Sequence, residues 1–221
     1  MELAKFEWLV TKRALYFRRA DLFEDPLEGT LPSANRRIGR FFGFPMDPES
    51  STGIEFNAHK ERIWRQFRMW MYVNCWYHGN QPSAEMWDRY GGGGAGIAIR
   101  SSFARMALAM ERTGRHVSIS EVEYRDPEEA PVAERSLAAA LVRKARCYAG
   151  EQEVRMLISK MPTGTEATFW GDPAGDHIPV PVPLPYLISA IAFGPNTSAT
   201  TRDHVELLLP WGELGFLPDG N

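Results

Sequence analysis

Hydrophobic and polar residues alternate along this chain in two distinct rhythms. In "AHKERIWRQFRMWMYV" the apolar residues Ile63, Phe67 and Met71 stand four apart with charges between them. That spacing predicts a helix with one buried face, which Trp64 and Trp70 widen. "VNCWY" follows at once as a strand, and "ALYFRRA" near the start reads as another. Between them, Asp25-Pro26 and Glu28-Gly29 in "DLFEDPLEGTLP" break regular structure, and the polar stretch from Pro45 to Gly53 reads as a loop. Ser83 can cap a short helix carrying Met86, Trp87 and Tyr90, which the following glycines stop. "GIAIR" is a compact strand candidate. Ser101 or Ser102 can cap the next helix, with Phe103, Met106 and Met110 facing inward and Gly114 as the stop.

The second half repeats these rhythms. "HVSISEVEYR" alternates as a strand does, and "PVAERSLAAALVRKARCYAG" reads as a long helix. Pro131 suits its first turn, Leu137, Leu141 and Tyr148 share a face, and Gly150 ends it. Strands are predicted at "VRMLIS" and "EATFW", a buried strand at "AIAFGP", and a last helix at "TTRDHVELLL". Alternate prolines in "HIPVPVPLPYLI" remove amide donors, so that segment belongs at a sheet edge or in an extended wall. Helices and strands mix without regular βα alternation. The fold expected is α+β, a single domain over residues 1–221 with a mixed or mainly antiparallel sheet flanked by helices.

Composition narrows the function classes. At 221 residues with 44% hydrophobic content, the chain can bury one substantial core. A net charge of −3 gives no overall basic footprint for nucleic acid or an anionic membrane. Cys75 and Cys147 lie far apart without a CxxC pair, which fits a reducing compartment. The N-terminus is broken by charge every few residues, so neither a signal peptide nor a membrane span is expected there, and a cytoplasmic location is. The five histidines are scattered without HxH or HExxH spacing, so no metal centre is expected. "GGGGAG" lacks the Lys-Ser/Thr of a phosphate loop and reads as a turn, and no GxSxG elbow is present. Cys75 reads as a buried small hydrophobe rather than a nucleophile.

Candidate chemistry concentrates in "YAGEQEVRMLI". Glu151, Glu153 and Arg155 occupy alternate positions, opposite Val154, Met156 and Ile158. On a half-buried strand this makes a charged face that is either solvated or a site. Trp76, Trp87 and Tyr90 are either core or a stacking surface for a flat ligand.

Several stretches together resemble a bacterial and phage family known as domain of unknown function 2971. They are "LYFRRADLFEDPLEG", "VNCWY", "SAEMWDRYG", "GIAIRSSF", "VEYRD", Lys144 before "YAGEQEVRMLI", and "LISAIAFGP". Their order spans nearly the whole chain. That resemblance implies a layout and no activity. "GEQEVRMLI" in addition resembles the Glu-x-Glu strand of mono-ADP-ribosyltransferases. That second resemblance implies NAD as co-substrate, with Glu153 on the nicotinamide ribose and Glu151 on the acceptor side. It also implies that Arg18 or Arg19 of "YFRRA" meets the pyrophosphate. Trp76, Trp87 or Tyr90 would stack on the nicotinamide, with Arg155 beside the glutamates. The expectation is therefore an ADP-ribosyltransferase-like enzyme in a phage-defence or toxin setting, its acceptor a protein or nucleic acid. Two alternatives stay open: a non-catalytic binding module of a phage- or stress-response system, and a Mg²⁺-dependent phosphodiester-cleaving enzyme using Glu24, Asp25, Glu28, Glu151 and Glu153.

Overall fold

The computed structural model describes the chain except for residues 26, 37–39, 42–43, 46, 81–82, 127, 129–136, 174, 210–214 and 217–221. Its longer elements, in chain order, are helix α1 (Leu3–Lys12), strand β1 (Ala14–Arg19), helix α2 (Ser51–Met69), strand β2 (Met71–Tyr77), helix α3 (Ala84–Tyr90), strand β3 (Ile97–Arg100) and helix α4 (Phe103–Glu111). Strands β4 (Ser118–Glu121), β5 (Glu153–Ser159), β6 (His177–Pro181) and β7 (Ala190–Phe193) follow, then helix α5 (Ala199–Leu208). The class is α+β. A five-stranded sheet runs in the order β6-β1-β2-β5-β4, with β1 antiparallel to β2 and β4 antiparallel to β5. The proline-spaced strand β6 takes an edge, where a missing amide donor costs nothing.

The chain divides into two compact units, Met1–Tyr16 with Tyr77–Val117 and Pro179–Asn221, and Phe17–Trp76 with Ser118–Ile178. In the first, β7 is buried at all four positions, pairs antiparallel with β3 (Ala190↔Arg100), and pairs parallel with Gly215–Phe216. Phe6, Leu9, Leu187, Ile191 and Val205 are among its buried residues. Ser83 and Ser102 cap α3 and α4, accepting from the backbone N–H of Met86 and Arg105. The glycine run after α3 is a turn in which Gly92, Gly93 and Gly94 all have positive φ.

The second unit carries most of the five-stranded sheet. Ala20, Phe67, Met71, Val73, Leu141 and Leu157 form a core cluster, and Leu31, Trp64 and Ala140 a second one. Helix α2 starts at Ser51 under a Ser50 cap, so the polar stretch expected as loop to Gly53 is already helical in its last three residues. Its buried positions are Gly53, Trp64, Phe67 and Arg68, while Met71 belongs to the next strand. Four-residue periodicity ran one turn past the real end because the strand that follows is equally apolar.

Three other expectations are corrected. Phe103 is 68% exposed on α4, because the helix buries Met106, Ala109 and Met110 instead. "EATFW" forms the short helix Glu166–Phe169. The long helix expected from Pro131 to Gly150 is α-helical only over Leu137–Leu141 among the described residues, and Pro131 lies outside them. Arg143–Lys144 then pairs in parallel with Glu123–Tyr124, and Arg146–Glu151 is a 3₁₀ helix. Backbone bonds from Glu123 N to Val142 O and from Arg125 N to Lys144 O replace the helical ones there. Tertiary pairing overrides an Ala- and Leu-rich helical propensity, which is a weak preference in any one segment. No helix among the described residues is long and apolar enough to cross a membrane.

Candidate functional site

Strand β5 turns its charged positions inward. Glu153 is 8% exposed and Arg155 1%, and Glu151, just before the strand, is 5%. Leu157 continues the same alternate set into the core cluster with Met71, Val73 and Leu141. Glu151 itself is the last residue of the 3₁₀ helix rather than part of the strand. Between the two glutamates Gln152 adopts a left-handed conformation with φ of 40°. A non-glycine residue there is strained by about 1 to 2 kcal/mol, and such strain concentrates where a site needs it. Its effect is to bring both carboxyl groups onto one cation.

That cation is Lys144. Its Nζ contacts Glu151 Oε2, lies 2.8 Å from Glu153 Oε1 and 3.6 Å from Glu28 Oε2. The Tyr148 ring sits 4.8 Å away on a further side. Arg155 completes the network: Nε donates to Glu153 Oε2 at 2.7 Å, Nη1 to the Leu141 carbonyl at 2.7 Å, and Nη2 contacts Glu28 Oε1. Both oxygens of Glu153 thus face a cation, and its backbone N–H donates to the Tyr124 hydroxyl at 2.7 Å. Tyr124 in turn stands opposite Lys144 in the two-residue parallel ladder. Glu28 reaches the network from a turn in which Gly29 has φ of 70° and lies so close to Leu141 that a Cβ would fall 2.5 Å from its Cδ2. Glu28 Oε1 is buried and, despite its contact with Arg155, receives no aligned hydrogen bond.

Three carboxylates and two cations leave one negative charge in excess. Burial raises the pKa of Glu151, and its hydrogen bond to Glu153 raises it further, against the pull of Lys144. Burial pushes Glu153 the same way, but the hydrogen bond and charge of Arg155, with Glu151 and Lys144, hold it well below the usual carboxylate range. Of Glu151 and Glu153, Glu151 therefore takes a proton first as the pH falls. Burial works against the charge on Lys144 and Arg155 as well, yet their carboxylate partners keep both above their ordinary values. Cys75 on β2 is exposed as a residue rather than buried as expected, but its sulfur is crowded against Glu153 and Arg155. Crowding governs acidity here: desolvation pushes the thiol up to about 12, so at neutral pH it is a thiol and not a nucleophile.

A cleft of about 500 Å³ opens beside the network, with Glu28 and Lys144 in its wall. Arg65, Arg68, Arg125 and Arg143 also line it, facing Asp25, Glu61 and Glu128. Glu151, Glu153 and Arg155 do not line it and stand one ion contact behind Lys144 and Glu28.

The other residues singled out from the sequence fall elsewhere. Arg18 is exposed and pairs across from Val73, on the face of the sheet that bears Leu157, Arg155 and Glu153. Arg19 is committed to structure: it binds Asp21 at 2.7 Å, Asp172 at 3.2 Å, and the carbonyls of Pro173 and Gly175 at 3.1 Å. Trp76 is half-buried, its indole N–H held by Asn74. Trp87 and Tyr90 belong to the first unit, on α3, with Tyr90 47% exposed. Lys144 is the partner that the pattern of residues did not place in the glutamate site, and Glu28 was grouped with the two glutamates only as a metal ligand. Alternation within one strand cannot reveal a partner from another segment, although both residues lie in stretches that carried the family resemblance. No group of three or more His, Cys, Asp or Glu side chains able to hold a metal ion occurs among the described residues. Where Glu28, Glu151 and Glu153 come together, Lys144 and Arg155 already supply the positive charge.

No family model matches the chain, and neither a curated protein nor a solved structure does.

Proposed function

We propose that this protein is an ADP-ribosyltransferase-like enzyme acting on NAD, with Glu153 and Glu151 as its carboxylates and the adjoining cleft as the place of the dinucleotide. The observation that carries the reading is the convergence of Glu28, Lys144, Glu151, Glu153 and Arg155 from three separate segments into one buried network beside a cleft. Burying five ionisable groups adds little net stability, since desolvation offsets most of the attraction between them. Perturbed carboxyl groups next to a cleft are instead a mark of functional sites.

The chemistry follows from charge. The bond between the ribose C1′ and the nicotinamide nitrogen breaks, the electron pair leaves with nicotinamide, and positive charge develops on the ribose. A fixed carboxylate in a partly dry site, Glu153, stabilises that charge. The acceptor's nucleophilic atom bonds to C1′ and its proton passes to Glu151, whose pKa burial raises and which is thereby a stronger base than an ordinary carboxylate. Arg65, Arg143 and Lys144 in the cleft wall offer donors to the diphosphate.

The test is nicotinamide release from NAD by the purified protein, alone and with cell extract as a source of acceptor. Wild type should release nicotinamide, and Glu153→Gln should reduce the rate by about 10²-fold or more. No release under any of these conditions removes the reading. One observation favours a binding module instead: both Glu153 oxygens are held by cations. A partner retained equally by wild type and Glu153→Gln, with no nicotinamide released by either, would decide for that alternative.

A further inference from the structure

The pairing of both Glu153 oxygens poses a problem for any chemistry at this site, and the position of Lys144 offers the solution. Lys144 stands both in the cleft wall and in contact with Glu151 and Glu153. Its backbone is fixed by the ladder to Glu123–Tyr124, so the flexible part is the four-carbon stem that carries Nζ. Arg155, by contrast, is locked on three sides by Glu153, the Leu141 carbonyl and Glu28.

We propose that Lys144 is a positioning residue that couples an anion in the cleft to the Glu151–Glu153 pair. A phosphate-like group seated among Arg65, Arg143 and Lys144 draws Nζ off the two carboxyl groups. Glu153 keeps Arg155, while Glu151 loses its contact with Lys144 and becomes a stronger base than before. Among the described residues, the groups facing the pair include Lys144, Arg155 and Glu28, the Cys75 thiol, and the Tyr124 hydroxyl at the Glu153 backbone. Of these, Lys144 is the one able to leave toward the cleft. The inference rests on the reading of the cleft as the co-substrate's place, and its test needs no turnover.

Calorimetry with sulfate, an anion that does not titrate near neutral pH, in two buffers of different ionisation enthalpy measures both affinity and protons exchanged. Wild type should bind sulfate with uptake of a fraction of a proton. Lys144→Met should bind at least about tenfold more weakly, with no uptake. Lys144→Arg should restore binding. Because Lys144→Met leaves buried carboxylates without their cation and can fail to fold, Glu151→Gln serves as the second variant: it should bind sulfate at least as tightly as wild type, since Lys144 is held less firmly, while the proton uptake disappears. Sulfate binding without proton exchange in wild type, uptake undiminished in Glu151→Gln, or no sulfate binding at all overturns the proposal. Proton-linked sulfate binding with neither ADP-ribose binding nor nicotinamide release keeps the coupling and removes the NAD reading.

Discussion

Strands β5 and β7 are buried to a similar depth and built from opposite materials. In β7, Ala190, Ile191, Ala192 and Phe193 are all buried and all apolar, as a strand covered on both faces requires. In β5, Glu153 and Arg155 are as deep as Met156, Leu157 and Ile158. The apolar strand needs only packing, and its energetics are those of area removed from water. The mixed strand needs partners for every charge, and it draws them from Glu28, Lys144 and the Leu141 carbonyl in other parts of the sequence. A buried network of this kind is fragile toward loss of one member and tolerant of nothing that leaves a charge alone. Depth alone therefore does not distinguish core from site, whereas the cost of satisfying what is buried does.

The sharpest way to break the contrast is Arg155→Ala, which leaves Glu28 and Glu153 short of their cation. It should destabilise by about 3 to 5 kcal/mol in urea unfolding. Ile191→Ala in β7 should cost about 2 to 5 kcal/mol through a cavity, and that loss should be nearly independent of pH, whereas the Arg155→Ala loss should shrink in acid. A pH-independent Arg155→Ala loss would erase the distinction between the two strands.

Glu151 sharpens the comparison from the other side. Its folded pKa is raised, so its contribution is most favourable below the unfolded value near 4.3 and is lost as pH rises through the raised folded value. Glu153 has the opposite sign: its contribution is present above the unfolded value and lost as pH falls through its depressed folded value. Glu151→Gln should therefore raise Tm at neutral pH by about 2 to 4 °C, the shift that about 1 kcal/mol produces in a chain of this size. The gain should shrink as the pH falls and Glu151 takes up its proton. The smallest effect expected is from Phe103→Ser on α4, within about 0.5 kcal/mol, because that ring is 68% exposed.

Much of the fold was legible because period-2 and period-3.6 patterns report local geometry faithfully. β1, β2, β3, β5 and β7 stand where alternation or compact apolar runs placed them, and Ser83 and Ser102 cap the helices they precede. The segment from 131 to 150 misled because its helical pattern is local, whereas the ladder of Arg143–Lys144 with Glu123–Tyr124 is made twenty residues away. The same limit applies to the site. Alternation put Glu153 and Arg155 on one face and could not say whether that face looked outward. Glu28 from a distant part of the sequence, with Lys144 and the Leu141 carbonyl from the segment before the strand, makes an inward answer affordable in physical terms, because together they satisfy the buried charges.

The left-handed residue at Gln152 is a joint between two kinds of backbone, and it sets the pitch of the acid pair. On a continuous strand, side chains two apart would stand side by side and reach different neighbours; with the joint, they close like a pincer on a single ammonium. The spacing of Glu-Gln-Glu is thereby part of the device. Adding or removing one residue at the joint would aim one jaw away from Lys144 while leaving each charged side chain in place along the chain.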